Sequence, residues 1–588
     1  MYLWDITING MGNQFYAGAV QAGSTNWEAL LFGSLDTQNF ITVDKPPVSQ
    51  WVMGLSAQIF GFSSASMLIP EALMGVASVA LLYAAVARIT TPRTGLLAGA
   101  ALALTPVVAL MFRYNNPDAI MVLLMMAAAY CAVRAMQRAS ANWLVLAGVA
   151  LGFAFLAKML EGLMVMPAIG LAYLVVAPAP LRRRLLHLLA SLVAFVVSAG
   201  WFVVVTLLWP ASSRPYIAGS TDNSFMNLVL GYNGFSRVLG RNHFDFERPG
   251  PQIGSAISQM GNNHGGGGFG NQTPGLPRLF SGEFGFEIGW LLPAALLAVV
   301  LVLISRGRAP RTDLVRGGVI LFGGWIVVDG LVLSFMHGMV HPYYCLSLAP
   351  AVAGMFAIGI HEMWVKRATR LGRIGLGAML LSTGVWSWWL LQQDAAWPPA
   401  LRWAILALSV VATAVLVVAL VKSRARYAVA ALAAALVVAL AGSAAYTIAT
   451  IGQPHSGGSP SVGPDGARNK AFGQLDDNPQ LDTMLSQTHT DWSAAITRSS
   501  AAAGLELQTH TAVMAIGGFS GTDPVPTLSD FQQYVATHRV TYFIVPADSH
   551  SGMGNHGHSD VTDWVTANFT PAKVGSDTVY DLTVPPKH

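Results

Sequence analysis

The sequence predicts a mostly α-helical, polytopic membrane protein with a small extracytoplasmic α/β domain at its carboxyl end. Three observations carry that reading. Apolar residues make up 53% of the 588 positions and mean hydropathy is +0.51. Apolar runs of about 17–23 residues recur, each long enough to cross a bilayer core of roughly 30 Å. Beyond residue 470 the long runs stop, and short strand-like and helical segments alternate instead.

The candidate spans are 70–88, 95–111, 117–136, 141–157, 162–178, 187–209, 287–305, 316–336, 343–361, 374–391, 400–421 and 427–447. Alternate connections between them are basic: Arg88 and Arg93; Arg134 and Arg138; Arg182 to Arg184; Arg306, Arg308, Arg311 and Arg316; Lys366, Arg367, Arg370 and Arg373; Lys422, Arg424 and Arg426. The positive-inside rule makes all six cytoplasmic. The first 69 residues, the turns at 112–116, 158–161, 337–342 and 392–399, the loop 210–286 and everything after 447 are then extracytoplasmic. The chain begins directly in an outside segment, Met1-Tyr2-Leu3-Trp4, so one further helix upstream is expected. The net charge of +4 has this topological explanation, and nothing calls for a nucleic-acid partner. Cys131 and Cys345 both fall in apolar segments and read as small hydrophobes.

Residues 1–447 form the membrane domain. Its loop 210–286 is rich in Gly and Asn, with a run GNNHGGGGFGNQTPG at 261–275. Residues 448–469 read as a Gly/Ser/Pro linker. In 470–588, strand-like runs at 494–497, 512–516, 540–545 and 579–582 alternate with helical runs near 479–488, 527–537 and 560–568, which argues a parallel sheet. Near the amino terminus, Phe15–Phe32 has the spacing of an amphipathic helix lying in the membrane interface.

The outside face holds the informative polar residues. Asp44-Lys45-Pro46-Pro47 precedes an apolar stretch in a chain with only seven lysines. The prolines fix the backbone where a helix starts and missing N–H groups cost little. Arg113-Tyr114-Asn115-Asn116-Pro117-Asp118 opens a helix; a helix-start role alone would explain Asp118. Lys158 and Glu161 lie at i,i+3, where a local ion pair would suffice. His337 and His341-Pro342-Tyr343-Tyr344 are a weak metal signal. Taken singly these are ordinary. Gathered on one membrane face, ionisable residues at helix ends point to a shared functional cavity.

These residues resemble the GT-C type integral-membrane glycosyltransferases, in the bacterial branch related to protein O-mannosyltransferases and lipid A aminoarabinose transferases. The resemblance rests on DKPP at 44–47, RYNNPDA at 113–119, GFAFLAKMLEGLMVMPA at 152–168, GYNGFSR at 231–237, RLFSGEFGFEIGWLLPA at 278–294 and HPYY at 341–344. The stretch VMAIGGFSGTDPVPTLSDF at 513–531 resembles a domain fused to actinobacterial mannosyltransferases. One departure matters. Relatives usually carry an acid early in the first external loop, read as the catalytic base, whereas here the region is Gly12-Asn13-Gln14-Phe15-Tyr16.

The resemblance implies a GT-C-like fold in the cell membrane and a polyprenyl-phosphate sugar as donor, with mannose favoured. The acceptor would be an extracytoplasmic protein hydroxyl or an envelope glycan or lipid. Displacement at the anomeric carbon needs a proton acceptor and fixed cations at the departing phosphate. With Asn13 unable to take a proton, Asp44 is the first candidate base and Asp118 the second. Lys45 and Arg113 are the candidates for the phosphate, supported by Lys158 and His341. Asn13, Tyr16, Glu161, Tyr343 and Tyr344 are candidates for substrate contacts. No cofactor is required; a divalent metal bridged by Asp44 and Asp118 through water stays open. The Gly517–Asp523 turn ends an expected strand, where α/β sheets bind ligands, although a plain glycine turn explains it as well. Two rival classes remain. A secondary transporter would place its charges at mid-membrane in two related halves. A non-catalytic scaffold or receptor would explain the missing early acid.

Overall fold

A computed structural model describes residues 1–239, 273–338, 340–464, 475–546 and 558–587. Most of the Gly-rich run at 261–275 and the end of the expected linker lie outside the described residues.

Among the described residues nine helices are long and apolar enough to span a membrane, from Ser64–Ile89 to Arg426–Ile451. Three expected spans take other forms. The run 95–111 is split into Pro92–Ala103 and Pro106–Met111, because Pro106 has no N–H to continue the ladder. The run 162–178 holds the 11-residue helix Met166–Val176. The run 287–305 belongs to a pair, Gly282–Ile288 and Leu292–Arg306, bent by 62° next to Pro293.

Small residues set the helix contacts. Helices Ala141–Lys158 and Leu181–Leu208 cross at Gly148 and Gly152, where a Cβ would collide with the Ser191 carbonyl and the Ser198 hydroxyl. The basic connections gather at one end of the bundle. There Arg306 pairs with buried Glu362 at 2.6 Å, Thr94 bonds His361 at 3.0 Å, and Arg311 donates to the Ala177 carbonyl at 3.1 Å.

The first loop does not lie in the interface as one amphipathic helix. It forms two helices, Gln14–Thr25 and Trp27–Phe32, because the Asn26 side chain accepts from the N–H groups of Glu28 and Ala29 and starts a new helix. Phe15, Tyr16, Ala17, Ala19 and Val20 are buried in protein rather than lipid.

Ala17 and Val20 pack with Met53, Ala57 and Met67, while Phe15, Tyr16 and Ala19 are buried by the carboxyl-terminal domain. Its sheet has the order β2-β1-β3-β5-β4, with β1 Trp492–Thr497, β2 Val513–Ile516, β3 Val540–Val545, β4 Pro571–Val574 and β5 Asp577–Asp581. Strands β1, β2 and β3 are parallel, while β5 runs antiparallel to β3 and to β4. The sheet is therefore mixed. The unexpected β4 is an exposed edge strand with no apolar alternation, and it turns at Gly575 with φ 59°. The helix Ser499–Thr509, also absent from the sequence reading, packs on Gln14–Thr25. Phe15, Tyr16, Leu35, Phe40 and Ile41 share one apolar cluster with the sheet residues.

The last span runs to Ile451, and the chain then crosses the site end of the bundle as a bonded strap. His455 N donates to Asn9 Oδ1 at 2.9 Å and Gly457 N to the Gly12 carbonyl at 3.2 Å. Tyr114 donates to Gly457 O at 2.6 Å, Tyr343 to Gly458 O at 3.4 Å, and Ser459 bonds His341 at 3.2 Å. This part of the Gly/Ser/Pro stretch is held by directional bonds rather than spanning freely between domains.

Candidate active site

Lys45 enters the site because Pro46 and Pro47 lead into the helix Val48–Phe60 and hold the preceding residues in fixed extension. Its ammonium is 3.0 Å from Asp44 Oδ2 and 3.0 Å from Asn233 Oδ1. Asn233 in turn donates to the Asp44 carbonyl at 3.0 Å. The same ammonium lies 5.9 Å from the centre of the Tyr232 ring. Tyr232 and Asn233 are presented by Leu228–Phe235, a π-helical stretch of the kind common at functional sites.

Arg237 follows directly. Its guanidinium lies 5.4 Å from the Tyr232 centroid and donates to the Tyr344 hydroxyl at 3.2 Å. Lys158 sits 3.7 Å above the Tyr344 ring, 2.6 Å from Asp118 Oδ1 and 3.0 Å from Glu161 Oε2. Asp118 starts its helix after Pro117, with its N–H bonded to Asn116 Oδ1 at 3.1 Å. It is fully buried, and its Oδ2 has no hydrogen-bond partner. Lys158 ends its helix at Met159, whose φ of 55° is rare outside glycine and folds Glu161 back onto the lysine.

The contacts therefore run without a gap from Asp44 through Lys45, Tyr232, Arg237, Tyr344 and Lys158 to Asp118. Tyr16 is buried within electrostatic reach of Asp44, Tyr344 and Asp118. Beside Lys45 a small, mostly apolar cleft is lined by Phe32, Pro47, Phe202, Ile217, Phe225 and Leu228. One wall of it comes from Leu181–Leu208, a span that leaves most of its surface outside the protein core.

Other expected site residues are placed differently. Arg113 is engaged with backbone: it donates to the carbonyls of Ile451, Trp4 and Asp5 at 2.7–3.0 Å and ties the amino terminus to the last span. Asn13 caps the Gln14–Thr25 helix by accepting from Phe15 N at 3.1 Å, and its backbone is clasped by the Asn115 side chain. His341 stacks on Tyr343 with centroids 5.0 Å apart. Burial first, then the charges of Arg237, Lys158 and Lys45, hold its pKa well below the usual value, which favours the neutral imidazole. Among the described residues no group of three or more His, Cys, Asp or Glu is placed to hold a metal. Asp44 and Asp118 each face a lysine instead.

The sequence reading missed Tyr232, Asn233 and Arg237 as site residues. The motif GYNGFSR was visible, but nothing in a Gly/Asn-rich loop shows which side chain reaches back to residue 45. Buried Glu71, Glu287 and Asp329 were missed inside apolar runs; each has a carboxylate oxygen without a hydrogen-bond partner.

Comparison with known proteins agrees with the geometry. The family model "Dolichyl-phosphate-mannose-protein mannosyltransferase" matches residues 44–203, and "Putative mannosyltransferase YkcB-like, C-terminal" matches 482–568. Over 96% of its length the chain is 28% identical to "Putative mannosyltransferase YkcB" of Bacillus subtilis, covering 89% of that protein. Over 95% it is 29% identical to "Putative mannosyltransferase YycA" of the same organism, covering 90%. The chain is a membrane glycosyltransferase with a GT-C-like fold. The glycosyltransferase also shares its fold with ArnT from Cupriavidus metallidurans bound to undecaprenyl phosphate, at a TM-score of 0.52 and 16% identity over 99% of this chain and 96% of that one.

One pH effect follows from the site of this glycosyltransferase. Burial lowers the Lys45 pKa to about 8, even with Asp44 beside it. The ammonium charge is therefore lost as pH rises through 8, and affinity for an anion at Lys45 is expected to fall there. Lys45→Arg, which stays charged, removes that dependence. Titration with undecaprenyl phosphate at pH 7 and pH 9 measures it; equal affinities in the wild type would contradict the assignment.

Proposed function

We propose that the protein transfers a sugar, with mannose favoured, from a polyprenyl-phosphate donor to a hydroxyl acceptor on the extracytoplasmic side of the cell membrane. The observation that carries this reading is the meeting of Lys45 and Arg237 at the Tyr232 ring, with a small apolar cleft beside Lys45. Opening of this cleft would admit a polyprenyl tail, and the two cations suit its phosphate. The names of the relatives support mannose.

In this mechanism the acceptor oxygen attacks the anomeric carbon and the bond from that carbon to the phosphate oxygen breaks. The acceptor proton passes to a carboxylate. Polyprenyl phosphate leaves with one more negative charge than it carried as a diester, and Lys45 and Arg237 meet that added charge. Lys45 is bonded to Asp44 before the donor binds. Turning its ammonium toward the phosphate frees Asp44 as proton acceptor, so donor binding itself activates the base. Asp118 is the second candidate, since its Oδ2 is unpartnered.

Incubating the purified protein with radiolabelled polyprenyl-phosphate mannose tests the reading. Transfer to acceptor or slow hydrolysis of the donor is expected; tight binding without turnover would favour a scaffold. The orientation is tested separately. A cysteine at exposed Ser456 is expected to react with an impermeant thiol reagent in intact cells, and one at exposed Arg308 is not. The reverse pattern would place the site in the cytoplasm.

A further inference from the structure

We infer that the carboxyl-terminal domain completes the transfer site, and that Asp523 on this domain is a positioning residue for the lipid-phosphate cations. The inference rests on the polyprenyl-phosphate donor reading and deepens it.

Asp523 ends the glycine turn that follows β2, at the carboxyl edge of the parallel strands, the edge where α/β domains present their working loops. That edge faces the membrane domain. Phe519 packs on Phe15 with ring centroids 5.2 Å apart, and Asp523 Oδ2 accepts from Gly219 N at 2.9 Å. Asp523 is only 6% exposed, so the bond is shielded from water.

Gly219 transmits the contact. Its φ is 76°, and a Cβ there would meet Leu228 at 3.0 Å and the Tyr232 ring at 3.1 Å. The Gly219 backbone thus lies against the ring that carries both Lys45 and Arg237. A bond from a soluble domain fixes a loop, the loop supports an aromatic ring, and the ring sets two phosphate-binding cations.

Asp523 is itself held firmly. Its N–H donates to Gly517 O at 3.0 Å, its carbonyl accepts from Val525 N at 2.7 Å and meets the His558 ring, and Gly518 has no room for a Cβ against the Asp523 carboxylate. Docking of the domain has separate supports: Gly18 against Ala503, Gln21 bonded to His510 at 2.7 Å, and Trp492 donating to Asp36 at 3.3 Å. Removing the Asp523 side chain therefore removes the Gly219 bond without removing what holds the domain in place.

The test is affinity for undecaprenyl phosphate in the full-length protein, for wild type, Asp523→Ala and Asp523→Asn. Domain docking is followed in parallel by the disulfide yield of Gly18→Cys with Ala503→Cys, whose Cβ atoms would sit 3.1 Å apart, near disulfide spacing. Asp523→Ala is expected to weaken affinity about tenfold, the scale of one lost charge-assisted hydrogen bond, at unchanged disulfide yield. Asp523→Asn keeps an acceptor for Gly219 N–H and is expected to restore affinity to within about threefold of wild type. Equal affinity in Asp523→Ala and wild type overturns the inference while leaving the donor reading intact. A fall in disulfide yield makes Asp523 a docking contact and also overturns it. Failure of the wild type to bind the lipid phosphate overturns the donor reading and this inference with it.

Discussion

Lys45→Ala is expected to lower single-turnover transfer by roughly 10²–10³-fold, the scale of removing one group that stabilises developing charge in a water-poor site. The geometry explains why no neighbour compensates. Arg237 already has its own place at the phosphate, fixed by the Tyr344 hydroxyl and the Tyr232 ring, and Lys158 is committed to Asp118 and Glu161. Lys45 is held by Asp44 and Asn233, partners it can exchange for a phosphate oxygen. Lys45→Arg is expected to retain most of the rate, since it restores the charge. Its wider guanidinium must fit beside Asn233, so recovery stays incomplete. A Lys45→Ala protein that transfers at the wild-type rate would reduce Lys45 to an anchor at the membrane boundary.

The second large effect separates the two carboxylates. Asp44→Asn is expected to lower transfer by roughly 10²–10⁴-fold, the range for loss of a general base, with little change in donor affinity or thermal stability. Lys45 keeps the Asp44 carbonyl at 3.2 Å and Asn233 in that variant. Asp118→Asn breaks a fully buried ion pair at 2.6 Å and is expected to cost about 3–5 kcal/mol of stability, with any rate loss following the unfolding. Measuring thermal midpoints beside single-turnover rates distinguishes the two. Full activity in Asp44→Asn with normal stability, and a dead but stable Asp118→Asn, would transfer the base role to Asp118.

The parts of this site that were legible in the sequence obey local rules. A scarce lysine beside an acid and two prolines, an acid at a helix start after proline, and a Lys–Glu pair at i,i+3 are each visible within a few residues. Helix ends also declared themselves, because alternating basic connections fix the parity of the spans. What escaped depends on distant chain. The sequence suggests Arg113 as a phosphate ligand but gives no sign of its bonds to the carbonyls of Trp4, Asp5 and Ile451, the last 338 residues away. Asn233 gained its role only because a π-helical turn points it at a residue almost two hundred positions earlier, and Arg237, in the short helix that follows, by reaching Tyr344 far down the chain. The edge strand β4 gave no signal, since strands without a buried face show no alternation. Pro106 was readable as a helix break, yet the surrounding apolar run hid it.

The strap that leaves the last span at Gly452 bonds Asn9, Gly12, Tyr114, His341 and Tyr343. Those anchors belong to the first loop and to two separate turns. A shift in any one of them therefore loads bonds held by the same short segment, which makes the strap a mechanical link between the first loop and both turns.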